Sequence, residues 1–314
     1  MKKNIYSYIY LLFSLILLIS CSGNHSGNKR VSISGAFALY PVTIVWTDAY
    51  KKAHPDVIFD ISAGGAGKGF TDALSGMVDL GMFSRELTPV ELKKNVWYIA
   101  VAADAVFPIV NANHPKINEL LKFGFTQTEF ATLFLQEKKE FLLDSNITLE
   151  PFKAVIYTRS DACGSAQVWS AYLKSNQESL KGIGVYGDPG ITEAVKRDKH
   201  GFGYNNMVFV FNHDNGKVQD GIKIIPIDVN SNGIIDADED FYTSVESINK
   251  AINEKKYPTP PSRLLYFVAK GKPDNENVKT FLRWILTDGQ QMLTQNGYIP
   301  LSDEMVKEQL KKLD

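Results

Sequence analysis

Only two cysteines, Cys21 and Cys163, occur in the 314 residues, far short of a disulfide framework. The five histidines (His25, His54, His114, His200 and His213) are scattered, and none has the spacing of a metal pair or a catalytic partner. That leaves an enzyme without its usual acid–base or metal chemistry. Charge of one sign is also missing: 34 Lys and Arg against 35 Asp and Glu give a net charge of −1, which excludes a basic nucleic-acid binder. There is no internal repeat. A nucleotide-binding P-loop is absent too: Gly67-Lys68 is followed by Gly69 where Ser or Thr is needed, and Ser62 stands where the first glycine belongs.

What is present begins with Lys2 and Lys3, then a mostly apolar run over residues 5–19 and the sequence Leu18-Ile19-Ser20-Cys21. A charged start, an apolar stretch of this length and small residues before a cut site make a secretory signal, and the run is short for a membrane span. The last four residues resemble the bacterial lipobox, which implies that residues 1–20 are a lipoprotein signal peptide and that Cys21 carries lipid. The globular part then sits outside the cytoplasmic membrane. Residues 21–30 are small and polar and read as a flexible tether. Loss of the signal removes two lysines, so the balance becomes 32 − 35 = −3. With Cys21 acylated no intramolecular disulfide can form, and stability must come from apolar cores. Roughly 285 residues remain, enough for two domains of ordinary size.

Short β-branched or apolar runs alternate with helical spacing throughout, so the class is α/β. Strands are expected at residues 31–35, 57–61, 97–102, 105–111, 154–157, 208–211, 223–227 and 263–269. A helix beginning near Pro41 carries Val42, Val45, Trp46, Ala49 and Ala53 on one face. Another capped helix follows Thr126 or Thr128. Val278, Phe281, Leu282, Ile285, Leu286, Gly289, Met292 and Leu293 keep the 3,4 period of a single helix packed on a sheet.

The chemistry concentrates in residues 158–169. The strand ending at Tyr157 runs into Arg159-Ser160-Asp161-Ala162-Cys163-Gly164-Ser165 and then into a helix bearing Val168, Trp169, Tyr172 and Leu173. A strand–loop–helix of this kind aims the first helical N–H groups at one spot, where the dipole favours an anion. Arg159 adds a planar fork of donors there. Two further loops, residues 34–38 and 62–70, stand at strand–helix junctions; the second has four glycines in six residues, which lets backbone approach a ligand. Separately, residues 228–239 match a twelve-residue calcium loop of EF-hand type. Asp228, Asn230, Asn232 and Asp236 supply side-chain oxygens at loop positions 1, 3, 5 and 9, Ile234 its carbonyl at 7, and Glu239 a closing carboxylate at 12, with Gly233 at the turn. The strand expected before it makes this an isolated loop, and a structural Ca²⁺ is the expected occupant.

Several blocks in this order resemble the phosphate-binding, PstS-type branch of the periplasmic solute-binding proteins: residues 34–41, 63–70, 78–87 and 159–165, then Tyr257-Pro258, residues 263–266 and 297–301. The resemblance implies a two-lobed, type II periplasmic-binding-protein fold with the ligand cleft between lobes. Residues 31–110 and 262–314 form one lobe and residues 111–261, which include the calcium loop, the other. It further implies capture of phosphate or a related oxyanion for the membrane subunits of an ABC permease, by a monomer held through its lipid. The phosphate-binding residues carried over are Ala36, Phe37 and Ala38; Gly65 and Ala66; Ser84; and Arg159, Asp161, Cys163, Gly164 and Ser165. Cys163 stands where the family has a serine, Phe37 and Ala38 offer only amides where hydroxyls are usual, and Ser84 replaces a proton-accepting aspartate. An alternative is a surface lipoprotein of the same fold acting as an adhesin, scaffold or sensor partner. Cys163 beside a helix start raises an activated thiolate, but a thiolate repels an anion and no histidine accompanies it.

Overall fold

The structure is a computed structural model that describes residues 29–137, 140–141 and 151–314. The expected signal peptide, the Cys21 lipid site and most of the tether lie outside the described residues. In chain order the strands are β1 (Arg30–Gly35), β2 (Ile58–Ala63), β3 (Leu80–Phe83), β4 (Val96–Asn111), β5 (Glu140–Phe141), β6 (Phe152–Lys153), β7 (Val155–Arg159), β8 (Ile183–Val185), β9 (Gly201–Asn206), β10 (Ile222–Ile224) and β11 (Ser262–Lys270). The helices are α1 (Tyr40–Ala53), α2 (Ala66–Ser75), α3 (Pro89–Leu92), α4 (Ile117–Phe123), α5 (Gln127–Leu135), α6 (Gly164–Tyr172), α7 (Asp188–Arg197), α8 (Met207–Val210), α9 (Val245–Asn253), α10 (Glu276–Leu286) and α11 (Asp303–Lys311).

One curled sheet carries the order β2-β1-β3-β11-β4-β9-β7-β8, with β10 also on β4. β1 pairs in parallel with β2 and β3, and β7 with β8 and β9, so each half has the strand–helix alternation of an α/β unit. The antiparallel strands β4 and β11 join the halves, paired from Ser262↔Ala105 to Lys270↔Val96. Along β4 the apolar core changes identity: Ile99 to Ala102 pack with β1, β3, α1 and α10, whereas Ala105 to Val110 pack with α5, α6, β9 and α9. At the change Asp104 is fully buried and accepts from Arg263 Nη2 on β11 (3.0 Å) and from the Ala105 and Met207 amides. The runs 97–102 and 105–111 are therefore one continuous strand. Asp104 looks like a break in sequence because its partner lies 159 residues away.

Other local expectations shift for physical reasons. The buried face of α1 is Val42, Thr43, Trp46, Thr47 and Tyr50, while Ala53 is exposed; the two threonines go inward because their hydroxyls bond carbonyls of the preceding turn. Residues 207–210 form α8 instead of a strand. The long C-terminal stripe breaks after Leu286, where Thr287 leaves helical geometry (φ −112, ψ −91) and the Gly289 carbonyl accepts from buried Trp46 Nε1 (2.9 Å). The helix after Thr126 forms as expected, closed by a capping box between Thr126 and Glu129.

Candidate anion-binding site

β7 ends at Arg159, and α6 starts five residues later at Gly164. Tyr204 of β9 fixes the strand end: its hydroxyl bonds Thr158 Oγ1 (2.7 Å) and accepts from the Arg159 amide (3.2 Å). The Arg159 side chain has no solvent exposure. Its Nε and Nη2 meet Asp161 in a two-point pair (2.8 and 2.6 Å), and Nη1 meets Asp188 Oδ1 at 2.6 Å. Burial alone would pull the guanidinium down, yet Asp188 and then Asp161 hold it above its ordinary value. Arg159 is thus a fixed cation whose planar fork is aligned by two acids.

Ser165 stands next to it. Its Oγ accepts from Arg159 Nη1 (3.3 Å) and donates to Asp188 Oδ1 (3.1 Å). Cys163 is the N-cap of α6, its sulfur accepting from the Ala166 amide at 3.4 Å, and its Sγ lies 3.3 Å from Ser165 Oγ. Burial pushes the thiol up to about 11, so Cys163 is a neutral cap and the activated thiolate is not formed. Gln177 brackets the loop, taking the Cys163 amide (3.3 Å) and donating to the Asp161 carbonyl (2.8 Å).

The other half of the cleft closes on this group. Buried Ser84, just past β3, packs against Gly164 so closely that a Cβ there would collide with its hydroxyl and carbonyl. Gly65, at φ +88 before α2, lies against Asp161 and Ala162; a Cβ would come within 3.0 Å of Asp161 Oδ2. The Phe37 ring covers Arg159, 5.4 Å from ring centroid to guanidinium, and meets Tyr186 edge-on at 5.8 Å. Arg159, Asp161, Cys163, Gly164, Ser165, Ser84, Gly65 and Phe37 are therefore brought together, with Ala66 opening α2 beside Gly65.

Not every amide expected here is free. The Ala36 N–H bonds the Met82 carbonyl (2.9 Å) and the Gly65 N–H the Gly35 carbonyl (3.0 Å), while the Ala38 carbonyl accepts from Tyr298 (2.7 Å). Gly69 serves packing: a Cβ would stand 2.6 Å from the Met82 carbonyl, so glycine lets α2 lie directly on the sheet. The nearby cations are also engaged. Lys68 pairs with Asp72, whose carboxylate also takes Ser34 Oγ, and Arg85 forms a two-point pair with Glu91 (2.7 Å each) over the Phe83 ring.

Asp188 was not singled out in the sequence. It sits at the first turn of α7, with 3% of its side chain exposed. The signal available was Gly187-Asp188-Pro189, a helix start after a strand, but only the pairing of β7 with β8 carries it to Arg159. With it the charges of Arg159, Asp161 and Asp188 sum to +1 − 2 = −1.

Residues 228–239 form a loop that turns at its glycine. Gly233 takes φ +87; Asp228 accepts from the Gly233 and Asn232 amides (2.8 and 3.2 Å), and Glu239 Oε1 from those of Val229 and Asn230 (2.8 and 3.1 Å). Asn230 and Asn232 both donate to Asp236 (2.9 and 2.8 Å). The donors the sequence offers there are all oxygens, the kind Ca²⁺ takes. Among the described residues no three His, Cys, Asp or Glu side chains converge as a metal group.

Comparison with known proteins gives a consistent picture. A phosphate-binding protein PstS from Staphylococcus haemolyticus is 22% identical over 96% of this chain and 94% of its own length. A solved structure described as a phosphate ABC transporter substrate-binding protein with bound phosphate, from Clostridium perfringens, superposes with a TM-score of 0.71 at 21% identity, over 87% of this chain and 100% of that one. An ABC-type phosphate transport receptor from Vibrio cholerae gives 0.62 at 16% identity, over 86% and 99%. These structures share the two-lobed fold. The family model for the PBP superfamily domain matches residues 22–289, and the chain belongs to that family of solute-binding proteins.

Proposed function

We propose that the protein captures phosphate in the cleft between its lobes and delivers it to the membrane subunits of an ABC importer, held outside the cytoplasmic membrane by lipid on Cys21. The carrying observation is the buried Arg159 fork, at the start of α6, beside the Ser165 hydroxyl and beneath Phe37, with Ser84 closing from the other lobe. An oxyanion at that position meets the helix N-terminus, the guanidinium and hydroxyls in one place. Asp188 is the natural acceptor for a proton carried by the anion, a role left open where Ser84 replaces the family's aspartate. HPO₄²⁻ has such a proton and sulfate at neutral pH has none.

Equilibrium dialysis with radiolabelled phosphate tests this. Saturable binding well below millimolar, weak competition by sulfate and loss in Arg159→Ala are expected. Absence of saturable phosphate binding below millimolar refutes it and favours the adhesin or scaffold reading. Metabolic labelling with palmitate, lost in Cys21→Ala, tests the lipid.

The loop at residues 228–239 is proposed to bind one Ca²⁺ structurally, through Asp228, Asn230, Asn232, Ile234, Asp236 and Glu239. Its support is the Asp228–Gly233 closure together with an oxygen-only donor set. Isothermal titration with calcium should show one site weakened by Glu239→Gln; no heat at millimolar calcium rules it out.

A further inference from the structure

In the first lobe β1, β2 and β3 run in parallel, and their C-terminal ends carry residues 34–38, 62–70 and Ser84 toward the cleft. Their N-terminal ends, with the end of β11 and the start of β4, make the opposite face. Lys270 pairs there with Val96, the Gly271 amide donates to the Asn95 carbonyl (3.0 Å), and Asn275 Nδ2 donates to the Arg30 carbonyl (3.3 Å). The described residues begin on this face at Lys29, whose carbonyl accepts from the Ile58 amide (2.9 Å). Eight residue steps separate Lys29 from Cys21, so even an extended chain spans at most about 28 Å. A lipid on Cys21 therefore keeps this end of the lobe within that reach of a bilayer.

The side chains on this face run against the acidic balance of the whole chain. Lys52 in the last turn of α1, Lys93 and Lys94 just before β4, and Lys270 and Lys272 at the end of β11 are exposed, and none has an ion pair among the described residues. The acids beside them are spent: Asp56 on Lys29, Asp60 on Arg30, Glu276 on Lys279, and Asp79 on the Ser32 amide and hydroxyl (2.8 and 2.7 Å). Among the described residues Asp274 alone remains there without a partner. Two large apolar side chains stand among the lysines, Met77 at 74% and Ile58 at 52% exposure. Lysines interleaved with exposed apolar groups suit the boundary of an anionic membrane. We infer that this face docks on an anionic phospholipid bilayer, its lysines against the headgroups and Met77 and Ile58 at the edge of the acyl chains. The inference rests on the lipid proposed for Cys21, which supplies the reach while the face supplies the orientation. β4 runs 16 residues, about 50 Å, from Val96 on this face to Asn111 in the other lobe, so a docked molecule holds its cleft out from the bilayer.

The test uses the protein isolated from membranes, with an environment-sensitive maleimide fluorophore on Met77→Cys or, at the far end of β4, on exposed Asp220→Cys; Cys163 is buried and does not compete for the label. Vesicles are phosphatidylcholine alone, or equal parts phosphatidylcholine and phosphatidylglycerol. Both should retain the protein through its lipid, but only the mixed vesicles should shift the Met77 label to the blue, and neither should shift the Asp220 label. Salt at about 1 M, where the screening length is about 3 Å, should reverse the shift. Lys270→Gln combined with Lys272→Gln should lower the docked-to-free ratio about 25-fold, each lysine at an anionic surface being worth about fivefold, with retention on vesicles and phosphate affinity unchanged. No shift at Met77 in mixed vesicles, equal shifts in the two vesicle types, an equal shift at Asp220, or an unchanged ratio in the double variant each overturns the inference. Failure to sediment with phosphatidylcholine vesicles refutes the lipid on Cys21 instead. The two labels are then compared at saturating mixed vesicles, where a shift at Met77 alone still supports the face and its absence overturns it.

Discussion

Replacing Asp188 by asparagine keeps the volume and the hydrogen-bonding outline but removes one charge, and the two candidate anions should respond differently. In the native protein Asp188 Oδ1 is 2.6 Å from Arg159 Nη1 and 3.1 Å from Ser165 Oγ, in a site with almost no solvent. An anion on the Arg159 fork brings its charge within about 5 Å of that carboxylate. At an effective dielectric near 20, two unit charges at that separation repel by about 3 kcal/mol. A protonated anion recovers this by donating to Asp188, a hydrogen bond to a charged group being worth about 1.5–3 kcal/mol. Sulfate has no proton to give and carries the full repulsion.

In Asp188→Asn the surplus falls from −1 to zero. Sulfate, a dianion, should then tighten by at least about 3 kcal/mol, or roughly 100-fold or more. Phosphate gains the same relief but now donates to a neutral amide oxygen and loses the charge assistance, so its affinity should stay within about tenfold. The phosphate-to-sulfate ratio therefore falls by at least one power of ten. Competition calorimetry at pH 7 on both proteins, with melting curves to establish that the variant is folded, measures the ratio directly. An unchanged ratio, or equal weakening of both anions, would make Asp188 only a buttress of Arg159 and refute the reasoning.

Phe37→Ala removes the ring that one lobe lays over Arg159 and against Tyr186 of the other. A desolvated cation–π contact and a ring pair are each worth about 1 kcal/mol, so phosphate should dissociate about tenfold faster with little change in association rate, read by stopped flow. An unchanged off-rate would remove the ring from closure. For Cys163, burial places the thiol at about 11, so iodoacetamide should react negligibly with folded protein through pH 9; a rate that plateaus below pH 9 contradicts the burial. Because the folded pKa is raised, the thiol's contribution to stability is complete below the unfolded value near 8.5 and is lost as pH rises from there toward 11. The melting temperature should fall across that window, and Cys163→Ser should abolish that part of the fall.

The half of the candidate site made by residues 159–165 was legible as a cluster because it is local: strand, loop and helix start are contiguous, so residue type and spacing bring these groups together. The opposing groups obey a longer logic. Asp188 reaches Arg159 only because β8 pairs with β7, and Phe37 covers it only because the lobes meet across β4 and β11. Neither fact has a periodic signature. The same limit explains the misread elements. The apolar run 207–210 is buried whether helix or strand, so burial could not decide between them. Asp104 reads as a break until its buried arginine is known. The glycines of residues 64–69 looked like ligand contacts, but Gly69 is required by backbone packing of α2 on β3, a demand that leaves the same residue in the sequence.

The hydroxyl-poor cleft now has a physical consequence. Lys68 and Arg85 are held by Asp72 and Glu91, so neither is at hand to replace the missing hydroxyls. The thiol at position 163 is neutral and already accepts the Ala166 amide. In the proposed site, attraction for an anion then falls to Arg159, Ser84, the free amides at the start of α6 and the Ser165 hydroxyl once it turns from Asp188, while two carboxylates oppose any anion that arrives without a proton. A site of this kind gives up gross affinity with each lost hydroxyl but gains discrimination from Asp188, since discrimination is a difference between ligands and here the repulsive element does most of the separating. In a double-variant comparison, Cys163→Ser should tighten phosphate and sulfate alike, whereas Asp188→Asn should tighten sulfate selectively and bring the two affinities closer, and the two changes should combine without altering each other's sign.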